Sequence, residues 1–226
     1  LSKRIGAIFD FENALRLDPT DARAHTYVGQ DFWLLSRDSQ PTPHLRDYFL
    51  SRAEAHLSQG DVALPVTSWA RASVALDASD FENAARFARQ AQRANADAEP
   101  DDRVTVGLPY NLEALALKSL GNVEGARQVF ELGLSTDPDC FDLLSNAASL
   151  YAEIDLSQEA TNLFDRALSL RPQDPLLLNN IGYFLEQKTH RLEEALDFYK
   201  RAQRALLPES HPQIDTNVRL LTQTLK

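Results

Sequence analysis

Five histidines are scattered along the chain, at His25, His44, His56, His190 and His211, and the only cysteine is Cys140. Metal binding or acid–base catalysis by a local motif needs such residues at short, fixed intervals, so that one helix turn or loop aims them at a common point. No interval here does so. The chain contains no HExxH, CxxC or GxSxG motif and no glycine-rich phosphate loop. A catalytic site would have to be assembled from residues distant in sequence, so no enzymatic activity, no metal and no cofactor is expected. Cys140 reads as a small residue at a helix start, because a reactive thiol there would need a neighbouring cation.

Charge narrows the partners. The 226 residues carry 33 Asp and Glu against 23 Lys and Arg, a net charge of −10. A surface of that sign opposes direct nucleic-acid binding, which relies on cations to neutralise phosphates. A neutral or basic protein or peptide partner fits better. Apolar residues make up 43% and charged residues 25% of the sequence, as in a folded chain with material for a core. No apolar run reaches the roughly eighteen residues of a membrane span, and the N-terminus shows no signal-peptide pattern. With one cysteine and no N-x-[ST] sequon, the expectation is a cytoplasmic protein that does not insert into membranes.

The strongest pattern is a repeat. Small and aromatic residues recur as Ala126 with Phe130, Ala160 with Phe164, and Ala195 with Tyr199, the alanines 34 and then 35 residues apart. Pro138 and Pro172 follow their aromatic residues at one fixed distance, again 34 apart. Upstream of each alanine lies a four-residue set: Tyr110, Glu113, Ala114 and Leu117; Leu144, Ala147, Ala148 and Tyr151; Leu178, Ile181, Gly182 and Leu185. Its small members stand where two helices cross closely. This period and pattern resemble the tetratricopeptide repeat (TPR) family. The resemblance implies an all-α fold, a right-handed superhelical solenoid of antiparallel helix pairs.

Taken in order, the chain reads as a single array over 1–226. Residues 2–21 form a half repeat lacking a first helix, so its apolar side chains Ile5, Ile8, Phe9, Ala14 and Leu15 are expected to want a partner, and the parent array is expected to extend upstream. An irregular repeat follows at 22–60, broken by the proline-rich 37–43 join. Another spans 65–98, and an acidic join over 97–108 leads to regular repeats at 107–140, 141–174 and 175–208. Residues 211–226, with Ile214, Val218, Leu221 and Leu225 on one stripe, read as a capping helix.

Function follows from the resemblance. In this family the first helix of each pair lines a concave groove that receives a partner peptide or helix. Carried onto this sequence, the inward positions are Asn111, Leu115 and Lys118; Asn146, Ser149 and Glu153; and Asn179, Asn180, Tyr183 and Glu186. Asparagine amides both donate and accept, so a ladder of them can hold an extended backbone, or simply face water. Tyr183 and Trp33 are each either binding hot spots or members of the inter-helix core. The resemblance does not extend to the clamp that grips C-terminal carboxylates, because only Asn146 matches it and the required cations are missing. The chain therefore reads as a protein-interaction scaffold or adaptor. The alternative is a self-assembling or complex-forming subunit, including a scaffold in an RNA-processing complex.

Overall fold

A computed structural model describes residues 2–38, 41–207 and 210–225. The 37–43 join, the Leu207-to-Pro212 join and the 211–226 capping segment each include positions outside that set. Among the described residues the secondary structure is helical and contains no strand. The helices are α1 (Ser2–Leu17), α2 (Ala22–Asp38), α3 (Pro43–Leu57), α4 (Pro65–Asp77), α5 (Phe81–Asp97), α6 (Gly107–Ser119), α7 (Val123–Thr136), α8 (Phe141–Glu153), α9 (Ser157–Leu170), α10 (Pro175–Phe184), α11 (Leu192–Leu206) and α12 (Pro212–Thr224). A short 3₁₀ turn, Pro100–Asp102, interrupts the join between α5 and α6, and a π-helical turn, Leu185–Thr189, follows α10.

Local chemistry sets many of these boundaries. Pro43, Pro65, Pro175 and Pro212 each open a helix, where the missing N–H costs nothing and the fixed φ is already helical. The side chains of Asp21, Asp80, Asn122 and Asp174 accept hydrogen bonds from the first-turn amides of α2, α5, α7 and α10. Four helices end on a residue with positive φ: Ser79 at 61°, Gly121 at 79°, Asp155 at 63° and His190 at 54°. After the first three, the next N–H reaches back five residues, from Asp80 to Ala75, Asn122 to Leu117 and Leu156 to Tyr151. This left-handed cap reverses the chain into the partner helix.

The fourth cap differs in a way that explains the spacing. Arg191 N–H reaches back six residues, to Leu185, across the π-helical turn. The extra residue in the 35-residue step is therefore absorbed by one wide turn, as single insertions into helices commonly are.

The chain divides into two compact units, Leu1–Gly133 and Leu134–Lys226, with the boundary inside α7. In the first, Val28, Phe32, Trp33 and Leu35 of α2 pack with Ala53 and Leu57 of α3 and with Ala70 and Val74 of α4. Gly29 is required at the crossing, because a Cβ there would sit 2.5 Å from Leu57 Cγ and 2.9 Å from the Ala53 carbonyl. Helix α1 is not unpartnered as the sequence reading expected. Ile8 is buried in this cluster and Phe11 and Leu15 pack against it, while Ile5 and Phe9 stay exposed. Next to it, Ala84, Ala85, Phe87 and Ala88 of α5 meet Ala72 and Ala75 of α4 and Ala116 of α6. The 97–108 join is fixed by Asn95, whose amide donates to the Val104 carbonyl (3.0 Å) and accepts from the Val104 N–H (2.9 Å).

In the second unit α8 packs on α9, α10 on α11, and α12 on α11. Ala160 and Ala195, the repeat alanines of this unit, are fully buried, as is Tyr199, and Phe164 nearly so. Burying a side chain of that size contributes about 1.5–3 kcal/mol. Gly182 crosses α11 so closely that a Cβ would lie 2.8 Å from the Tyr199 ring. Helix α12 covers α11 through Ile214, which is buried with Leu178 and Ala202.

Candidate functional site

Within the second unit, α8, α9, α10 and the π-helical turn enclose a cavity of about 270 Å³. Ser149, Ala152 and Glu153 line it from α8, Phe164 from α9, Asn180, Tyr183 and Phe184 from α10, and Lys188 from the π turn. The rings of Phe164 and Phe184, 5.5 Å apart and tilted, give it an apolar floor. Tyr183 stands beside them with 56% of its surface exposed. Around this apolar centre lie an amide, a hydroxyl, a carboxylate and an ammonium. Lys188 Nζ is held 2.6 Å from Asp155 Oδ1, which ties the π turn to the cap of α8. A site of this kind can bury an apolar or aromatic side chain while its amide addresses a backbone.

Four of the residues expected to face inward meet here: Ser149, Glu153, Asn180 and Tyr183. Asn146 is half-buried on α8 and does not line the cavity. Asn179 accepts instead from Asn217 Nδ2 of α12 at 2.9 Å. Glu186 accepts from the Tyr199 hydroxyl at 2.8 Å, and burial together with this carboxylate pushes the Tyr199 phenol well above its ordinary pKa. Asn111 is buried in α6 and Lys118 is half-buried there, both in the first unit. Trp33 is a core residue: its indole N–H donates to Asp77 Oδ2 at 2.9 Å and its ring meets Trp69 edge-on at 5.2 Å. Lys188 could be reached only by knowing where the extra residue of the 35-residue step falls. Phe164 was visible as a repeat aromatic, and Phe184 gave no separate signal.

A second cluster, in the first unit, joins residues far apart in sequence. His25 and His56 approach through their Nδ1 atoms at 3.0 Å, beside a cavity of about 350 Å³ that Glu12 and Leu15 of α1 also line. Arg52 lies 3.2 Å from His56 Nε2, and a guanidinium only donates, so that nitrogen is the acceptor. It follows that His56 carries its proton on Nδ1 and gives it to His25 Nδ1, leaving the His25 Nε2–H to reach the Pro19 carbonyl at 3.2 Å. Every ring nitrogen is thus engaged within the protein. Burial, then the charge of Arg52, lowers the His56 pKa to about 4. Among the described residues no group of three or more His, Cys, Asp or Glu is placed to hold a metal ion. Cys140 is buried at the start of α8, and burial pushes its thiol up, away from a reactive thiolate.

Helix pairs closed by left-handed caps, with alanine, glycine and aromatic side chains at matching crossings, give the chain the fold of tetratricopeptide-repeat proteins. The tetratricopeptide repeat family profile matches residues 109–140. Among curated protein sequences none matches the chain. Three solved structures are similar to it in fold. TTC0263, a thermophilic TPR protein of Thermus thermophilus, has a TM-score of 0.69 at 17% identity, covering 86% of this chain and 99% of its own. PilF of Pseudomonas aeruginosa has a TM-score of 0.67 at 17% identity, covering 100% and 91%. YrrB, described as a TPR protein with an unusual peptide-binding site, has a TM-score of 0.51 at 16% identity, covering 93% and 97%. Among the described residues no helix is long and apolar enough to cross a membrane.

Proposed function

We propose that this chain is a protein-interaction scaffold and that a partner segment docks in the cavity between Ser149 and Lys188. The observation that carries the reading is the exposed Tyr183 beside the Phe164 and Phe184 rings, with the Asn180 amide alongside. Aromatic side chains placed at a partly enclosed site concentrate binding energy, and an amide adds backbone recognition without dictating sequence. A binding role agrees with the fold, since a peptide-binding site is described for YrrB. The net charge of −10 and Glu153 at the rim favour a neutral or basic segment.

The test is affinity capture from the native lysate with the parent chain and with a Tyr183→Ala, Asn180→Ala variant, bound proteins being identified by mass spectrometry. A partner held by the parent and lost by the folded variant supports the reading. A partner retained at equal strength refutes the assignment of the cavity.

A second reading has its own observation. Ile5 and Phe9 of α1 are 52% and 60% exposed, an apolar surface on the first helix that favours association with further protein. Under that reading Phe9→Ser abolishes concentration-dependent assembly measured by sedimentation, while the Tyr183 variant leaves it intact.

A further inference from the structure

The second unit contains another cavity, of about 370 Å³, that shares no residue with the Tyr183 site. Pro172 and Gln173 line it from the join between α9 and α10, Leu178 from α10, and Arg201, Arg204 and Ala205 from α11. Two guanidiniums one helical turn apart face the same space. Elsewhere in this unit Arg166 and Arg191 are paired with Asp139 and Glu194. Arg201 and Arg204 have no carboxylate partner among the described residues, although acids outnumber bases by ten in this chain.

Both are nonetheless held in place. The Arg201 guanidinium lies 4.6 Å from the centroid of the Phe198 ring, and Arg204 donates its Nε–H to the Lys200 carbonyl at 3.2 Å. One group is anchored through a face and the other through its inner edge, which leaves the terminal N–H donors of each available. Guanidiniums fixed in this way lose less freedom on meeting a carboxylate than solvated ones do. Beside them, Pro172, Leu178 and Ala205 supply apolar wall and Gln173 a neutral amide. The volume is that of a ligand larger than a bare anion.

We propose that this cavity is a second docking site, for an acidic peptide segment that places a carboxylate on Arg201 and Arg204 and a neighbouring apolar side chain against Pro172 and Leu178. Its charge preference is opposite to that of the Tyr183 cavity, so one repeat pair can hold two segments of different character.

The experiment uses fluorescein-labelled hexapeptides of alternating Leu and Glu or Asp, a matched set with Gln and Asn in place of the acids, and the full chain. Fluorescence anisotropy is expected to show the acidic set bound at least tenfold more tightly than the amide set, with affinity falling as salt rises. Arg201→Gln with Arg204→Gln, confirmed folded by its melting temperature, is expected to lose at least tenfold, and Arg201→Lys to lose part of that. Tyr183→Ala with Asn180→Ala should leave acidic-peptide binding unchanged. The proposal is overturned if the two peptide sets bind alike, if the arginine double variant binds as the parent does, or if the Tyr183 variant loses the peptide. It is likewise overturned if inorganic phosphate displaces the labelled peptide as effectively as unlabelled peptide does, which would make the cavity a simple anion site.

Discussion

His25 and His56 lie 31 residues apart in sequence and share a hydrogen bond between their Nδ1 atoms at 3.0 Å, with Arg52 fixing which of them donates. The arrangement requires a neutral His56, because a second proton on Nε2 would face the Arg52 guanidinium. Glu12 of α1 accepts from the same Arg52 at 3.2 Å, so the cluster also fastens α1 to α3.

This gives the fold a pH dependence of predictable sign. The His56 pKa falls from 6.5 in the unfolded chain to about 4 in the folded one. The unfolded chain therefore takes up this proton first, and stability is lost as the pH drops from about 6.5 towards 4. A shift of that size corresponds to about 3 kcal/mol, and solvent screening of the half-exposed ring reduces it to about 1–2 kcal/mol. Urea midpoints measured from pH 7.5 to 4 should fall in the parent and fall less in His56→Gln. Parallel curves for the two proteins would show that other groups set the acid limit.

Glycine at the helix crossings sets a second expectation. Gly29 and Gly182 sit where an added methyl would press on Leu57 and the Ala53 carbonyl, or on the Tyr199 ring. Gly29→Ala meets a backbone oxygen that cannot step aside, whereas Tyr199 is fully buried and tethered through its hydroxyl to Glu186. Each substitution should cost about 1–3 kcal/mol despite the better helix propensity of alanine. Denaturant unfolding that finds either variant as stable as the parent would mean the helices can separate at no cost.

The left-handed caps predict effects of opposite sign. Ser79 holds φ of 61° with a side chain, while Gly121 holds 79° without one. Ser79→Gly should stabilise by about 0.5–1 kcal/mol, and Gly121→Ala should destabilise by about 1 kcal/mol or slightly more. Thermal melts of the two single variants decide it. A loss in both would show that the Ser79 side chain makes a contribution larger than its backbone strain.

What the sequence reveals here is what repeats. Ala126, Ala160 and Ala195 with Phe130, Phe164 and Tyr199 are legible because each is buried and recurs at a fixed step; in the second unit α9 packs on α8 and α11 on α10, so there a local spacing carries the contact. Asn180 and Tyr183, singled out by the same spacing, line one cavity of the second unit. Other contacts leave no periodic trace. The His25–His56 bond, the Trp33–Asp77 bond and the Asn179–Asn217 bond each join residues whose spacing no repeat rule specifies. Trp33 shows the limit clearly, since its place in α2 suited a groove residue as well as a core one, and only the position of α4 decided it.

The 35-residue step offers the sharpest test of how that regularity is built. Its extra residue is taken up by the π-helical turn Leu185–Thr189, which ends in the left-handed His190 and carries Lys188 to Asp155. Such a turn has weaker hydrogen-bond geometry than an α-helix, and the surface ion pair it permits is worth about 1 kcal/mol or less. Deleting Gln187 should therefore let α10 close with the five-residue return seen after α8, at unchanged or slightly higher stability. In the same deletion Lys188 moves relative to α8 and the Tyr183 cavity changes shape. A crystal structure of the variant together with its urea midpoint tests both halves. A loss of more than about 2 kcal/mol would show that the wide turn is needed to seat α11 on α10, whereas a stable variant with a closed α-helical cap would show that the turn serves the cavity and not the fold.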